Sequence, residues 1–184
     1  MQVHNVLLVA ALLAVPSTGL AQSVPLADAS ASSKAFFSMV SGWVNASVDK
    51  MPDAEFAFKP TPEVRSFAQL VGHIADAQFL ICSRALGEKG PAGDAEKTKT
   101  TKADLKKALA DGFAYCEQAH ATLSGPKGAE IVDGFGAKHP RIGLLYFNTM
   151  HTFEHYGNVI TYLRLKGIVP PSTEQQQRRT APGQ

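Results

Sequence analysis

At 184 residues the chain has room for one ordinary domain but not for two. Apolar residues make up 45% and charged residues 18%, a globular balance that excludes a disordered chain. The formal net charge of +2 with no strongly basic face excludes nucleic-acid binding, and four Tyr, ten Phe and one Trp furnish a core rather than a base-stacking platform.

Val6 to Val15 is an almost unbroken apolar run of about ten residues, half of the roughly 20 that a spanning helix needs. Gly19 and Ala21 stand at −3 and −1 of a signal-peptidase site, so residues 1–21 are expected to be a signal peptide cleaved before Gln22. The mature chain is then exported, periplasmic or secreted, with no stable membrane insertion. Export opens the two cysteines, Cys82 and Cys116, to oxidation: they either bridge or stay buried as two small hydrophobes.

After a flexible stretch over residues 22–31, the spacing of Phe37, Val40, Val44, Val48 and Met51 predicts a first helix over residues 32–49, stopped by Pro52. Residues 52–60 read as a linker. Thr61-Pro62-Glu63 then resembles a helix start, with a hydroxyl cap, a first-turn proline and an acid at the positive end. Phe67, Val71, Ile74 and Ile81 give this second helix an inner stripe up to Gly87. Residues 90–100 read as a solvated loop.

Thr101 and Asp104 suggest a capping box for a third helix, whose seam is Leu105, Leu109, Gly112, Cys116, Ala119 and Leu123. Residues 125–140, rich in glycine and proline, read as another loop. A fourth helix is predicted over residues 141–166, closed by Gly167, and residues 172–184 as a disordered tail. The fold class is therefore all-α, a four-helix bundle over residues 32–171.

The chemistry concentrates in histidines. His151 and His155 stand at i and i+4 of the fourth helix, one turn apart on a face shared with Leu144, Phe147, Asn148, Asn158 and Tyr162. Imidazoles facing an apolar core need their nitrogens satisfied, and a metal ion with outer hydrogen-bond acceptors does so. Glu154, Asn148 and Asn158 are the candidate outer partners. On the second helix, His73 shares a stripe with Leu70, Ala77 and Leu80 and supplies a third imidazole. Three neutral imidazoles leave coordination positions open, as a reactive metal requires. Asp76, one turn from His73, is either a capping carboxylate, an outer acceptor or a fourth ligand. His4, His120 and His139 are expected at the surface.

Other bundle chemistries lack their parts. Glu117-x-x-His120 is a single di-iron-type set without its partner, no Cys-x-x-Cys-His is present for haem, and Thr152 stands where a His-Glu-x-x-His peptidase needs glutamate.

Arg65-Ser66-Phe67-Ala68-Gln69-Leu70-Val71-Gly72-His73-Ile74-Ala75, followed later by His151-x-x-x-His155-Tyr156-Gly157-Asn158, resembles the DinB family. So do the linker and the ending Tyr162-Leu163-Arg164-Leu165-Lys166-Gly167, which brings the likeness to most of the mature chain. The resemblance implies an antiparallel four-helix bundle whose metal site is His73, His151 and His155. It implies zinc or nickel as the divalent ion, with iron or manganese also suited to imidazole. Some members of that family are transferases or isomerases that use bacillithiol, mycothiol or glutathione. Such thiols are mostly cytosolic, so export argues against that role here.

Two readings follow: a metal-dependent hydrolase or transferase of a small molecule, with Glu154 and Tyr162 as proton carriers, or a non-catalytic metal-bound binding or structural module. A homodimer paired through helix faces is compatible with either.

Overall fold

A computed structural model describes residues 26–181, and the segment expected to be a signal peptide, with His4, lies outside the described residues. The described chain is mostly helical. Four long helices carry it: α1 (Leu26–Lys50), α2 (Phe67–Leu86), α4 (Lys102–Thr122) and α6 (Arg141–Leu165). Between them lie the short helices α3 (Ala95–Thr98) and α5 (Pro126–Ala129), and α7 (Pro171–Thr180) follows α6. Among the described residues no helix is long and apolar enough to cross a membrane.

The predicted seams meet in one core. Phe37, Val40, Val44 and Val48 of α1, Phe67, Val71 and Ile74 of α2, Leu105 and Leu109 of α4, and Leu145 and Leu163 of α6 are all fully buried together. A buried polar bridge ties α2 to α6 inside it. Gln78 Nε2 donates to the Thr152 hydroxyl at 3.2 Å, and Asn148 Nδ2 donates to Gln78 Oε1 at 2.8 Å. Cys82 of α2 and Cys116 of α4 form a disulfide, with Cα atoms 5.5 Å apart, in the range side-chain bridging requires.

Several helix ends lie where local chemistry places them. Gly87 and Gly167 adopt φ of 73° and 71° and close α2 and α6, and the Thr101 side chain accepts the Asp104 N–H at 3.1 Å to open α4.

Four expectations are corrected. The start of α2 is not Thr61-Pro62-Glu63 but Phe67. A complete capping box, Ser66 Oγ to Gln69 N–H and Gln69 Oε1 to Ser66 N–H, satisfies two terminal donors there and outweighs the upstream hydroxyl. Helix α1 begins at Leu26, inside the stretch expected to be flexible.

Residues 131–140 are not loop. Strands β1 (Ile131–Gly134) and β2 (Ala137–Pro140) pair antiparallel, Ile131 opposite Pro140 and Gly134 opposite Ala137, around the two-residue turn Phe135-Gly136. Each strand is too short to display an alternating pattern.

The polar tail also folds as far as Thr180. Pro171 occupies the first position of α7, where a missing N–H costs nothing. Its side chains find fixed partners: Trp43 Nε1 donates to Gln175 at 3.0 Å, Lys50 pairs with Glu174 at 2.5 Å, and the Tyr156 hydroxyl donates to Ser172 at 2.8 Å.

Candidate metal centre

Helices α2 and α6 run antiparallel, with Arg65 just before α2 against Tyr162 and Ala85 against Arg141. This pairing brings His73 to the two histidines of α6. One nitrogen from each of His73, His151 and His155 lies within 4.8 Å of the others, and the ring centroids are 4.4 to 5.3 Å apart. His151 and His155 face each other Nε2 to Nε2 at 3.1 Å.

His155 is buried, and His73 and His151 are half-buried. Burial first, then the neighbouring His151, His73 and Arg65, pushes the His155 pKa down to about 4. Burial followed by His73 lowers that of His151, with Glu154 opposing. Both rings are therefore neutral at neutral pH and offer lone pairs, the form in which imidazole binds metal.

The tautomer of His73 follows from its partner. Its Nδ1 lies 2.8 Å from Glu96 Oε2. An ionised carboxylate only accepts, so in the neutral ring Nδ1 carries the proton and Nε2 keeps the lone pair. Burial alone would raise the Glu96 carboxyl, but Arg65 at 2.8 Å and His73 outweigh it and hold the group below the usual range.

Asp76 sets this arrangement at one remove. Its two oxygens accept the backbone N–H groups of Ala95 and Glu96 at 2.9 and 3.0 Å, pinning α3 against α2. Gly72 permits the approach, because a Cβ there would stand 2.6 Å from the Glu96 backbone.

The outer partners are only in part those predicted. Asp76 is a capping carboxylate, not a fourth ligand. Asn158 does lie beside His155 Nδ1, at 3.4 Å, but Asn148 turns to Gln78 and Glu154 is exposed. Tyr162 is buried and donates its hydroxyl to the Arg65 carbonyl at 2.6 Å, which occupies the proton it was expected to carry. Glu96 went unpredicted. It is 23 residues from His73 in a stretch that reads as solvated, and no local pattern marks it.

Of the other histidines, His120 is buried, not exposed. It packs on Phe37 at a centroid distance of 4.9 Å, neither ring nitrogen has a partner among the described residues, and burial pushes its pKa down to about 4. Glu117 is exposed, so the Glu117-x-x-His120 set does not converge. His139 is half-buried on β2 opposite Val132.

The triad adjoins a groove of about 590 Å³ that is lined by His73 and His151 but not His155. On the other side a cavity of about 670 Å³, lined by Arg65, Glu96, Asn158 and Tyr162, touches none of the three. Among the described residues no fourth His, Cys, Asp or Glu joins the cluster.

The family model of the DinB superfamily matches residues 44–159, which contain all three histidines of the triad. The chain belongs to the DinB superfamily. Solved structures with this fold include a DinB-like protein from Bacillus cereus at a TM-score of 0.65 and 17% identity, covering 73% of this DinB chain and 90% of that one. A DinB-like protein from Bacillus subtilis gives 0.60 and 23%, covering 74% and 92%. A mycothiol-dependent maleylpyruvate isomerase gives 0.61 and 14%, and the DinB chain spans 63% of that enzyme's length while 74% of its own is covered. At these identities the likeness is one of fold. Among curated proteins none matches the sequence.

Proposed function

We propose that this DinB protein is an exported four-helix bundle that holds one divalent ion through His73, His151 and His155. The ion would serve the hydrolysis or transfer of a small molecule. The observation that carries the reading is the convergence of three imidazole nitrogens within 4.8 Å, with no fourth ligand in the cluster among the described residues and a groove beside two of them. A structural site would be closed by a fourth protein ligand. Asp76, the fourth ligand that the sequence offered, is engaged with the Ala95 and Glu96 backbone, which favours a reactive or ligand-binding site over a purely structural one.

Bound there, a divalent ion supplies Lewis acidity and lowers the pKa of a coordinated water. The chain's own residues orient the ligands. Glu96 fixes the His73 ring, Arg65 holds Glu96, and Asn158 stands beside His155. Zinc or nickel suits three imidazoles, as do iron and manganese.

Export is supported by the apolar leader and by the Cys82–Cys116 disulfide, which persists in oxidising compartments. The same compartment argues against a cytosolic thiol as cofactor.

Elemental analysis of residues 22–184 beside a His151→Ala, His155→Ala double variant tests the centre. About one equivalent of metal is expected in the parent and none in the variant. A folded parent that rebinds none of zinc, nickel, iron or manganese would overturn the reading.

A further inference from the structure

The groove beside the triad has a composition that selects among ligands. It runs along one stripe of α2, from His73 past Ala77 and Leu80 to Arg84, an eleven-residue span of about 16 Å at 1.5 Å per residue. Its middle is apolar and open. Leu80 is 49% exposed, Phe147 38% and Phe135 46%, three large hydrophobes on one groove, with the two phenyl rings 5.1 Å apart. Clustered exposure of this kind marks a ligand surface rather than ordinary surface scatter.

Phe135 reaches that position in an unfavourable backbone conformation. It is the single non-glycine residue with positive φ, 51°, among the described residues. A phenylalanine gains nothing locally there, where Asn, Asp or Gly relaxes the turn. Such outliers persist where the surroundings use the side chain.

The far end of the groove is cationic. The Arg84 guanidinium lies 4.3 Å over the Phe135 ring, and neither it nor Lys89, which also lines the groove, forms an ion pair among the described residues. The two carboxylates on the same walls are engaged: Asp76 by two backbone N–H groups, Glu88 by the Tyr115 hydroxyl at 2.7 Å.

We propose that the groove binds an elongated organic anion, its apolar body lying on Leu80, Phe135 and Phe147, its anionic group meeting Arg84 and Lys89, and its other end directed at the His73–His151 edge of the triad. This ligand class rests on the metal-site reading for the function of the triad end alone. The anionic and apolar contacts belong to the chain itself.

The test is a fluorescence titration of residues 22–184, metal-free and zinc-loaded, with 11-(dansylamino)undecanoate and with its uncharged primary amide. The carboxylate is expected to bind about tenfold more tightly than the amide, the size of one charge-assisted contact. Arg84→Gln should abolish that preference while leaving amide binding in place, which also reports that the variant is folded. Lys89→Gln should reduce the preference severalfold and serves if Arg84→Gln does not fold. Phe135→Gly should weaken both probes equally. Equal binding of the two probes, no binding of either, or a preference that survives Arg84→Gln would overturn the assignment. A parent that takes up no metal yet shows the Arg84-dependent preference would leave the groove standing and remove the metal reading. Metal uptake without the preference would do the reverse.

Discussion

At the residue scale, the feature with the widest reach is the carboxylate of Glu96 on His73 Nδ1. It fixes which nitrogen is free for an ion, and an outer partner of this kind sets metal affinity by about 10- to 100-fold. Glu96→Ala is expected to weaken zinc binding by about that factor in a competition titration against a chromogenic chelator. Glu96→Gln should lose less, since an amide oxygen still accepts from Nδ1. Unchanged affinity in Glu96→Ala would mean that the ring is held by packing alone. His120 offers a separate residue-scale test. Its pKa is about 4 when folded against 6.5 for the free ring, so between those values the unfolded chain binds a proton that the folded chain refuses. Its contribution is complete above pH 6.5 and is lost as pH falls toward 4, amounting to about 3 kcal/mol. His151 and His155 act in the same direction, so the comparison must be with His120→Phe, which keeps a ring against Phe37. Urea midpoints from pH 7 to 4 should fall less steeply in that variant.

At the scale of elements, α2 is the hub. It shares the core with α4, carries one triad ligand, receives α3 through Asp76, and is linked to α4 by the Cys82–Cys116 bridge. The bridge closes a 34-residue separation, which corresponds to about 3–4 kcal/mol of unfolded-state entropy. A Cys82→Ala, Cys116→Ala variant is expected to lose stability of that order in chemical denaturation. The same loss should appear in the parent under reductant, with far-UV circular dichroism unchanged at low denaturant. A parent insensitive to reductant would show that native packing alone holds α2 to α4. The α3 segment and the β-hairpin are small, yet they bring Glu96 and Phe135 to two different sides of the site.

At the scale of the whole molecule, the apolar seams of α1, α2, α4 and α6 close a core that does not depend on the histidines. The metal-free chain should therefore remain folded, unlike a zinc finger. An ion at a hundredfold excess over its dissociation constant adds about 2.7 kcal/mol by mass action, so chelation should lower the Tm by about 5–10 °C with helicity retained. Collapse of the helical signal on chelation would instead make the ion structural.

The helical seams and the triad were legible because both are periodic. Phe37, Val40, Val44 and Val48 repeat at three and four, and His151 and His155 are one turn apart, so a single helix determines which face each side chain takes. Gly87 and Gly167 mark helix ends for an equally local reason, the left-handed φ each adopts. What only the tertiary structure decided is long-range or compensated. Glu96 meets His73 across 23 residues because Asp76 pins its backbone and Gly72 admits it. His120 and α7 run against their polar appearance, one sheltered on Phe37 and the other tethered to Trp43, Lys50 and Tyr156. Periodicity reports the face a residue occupies on its own element, whereas partners from other elements are set by packing, which the local pattern does not encode.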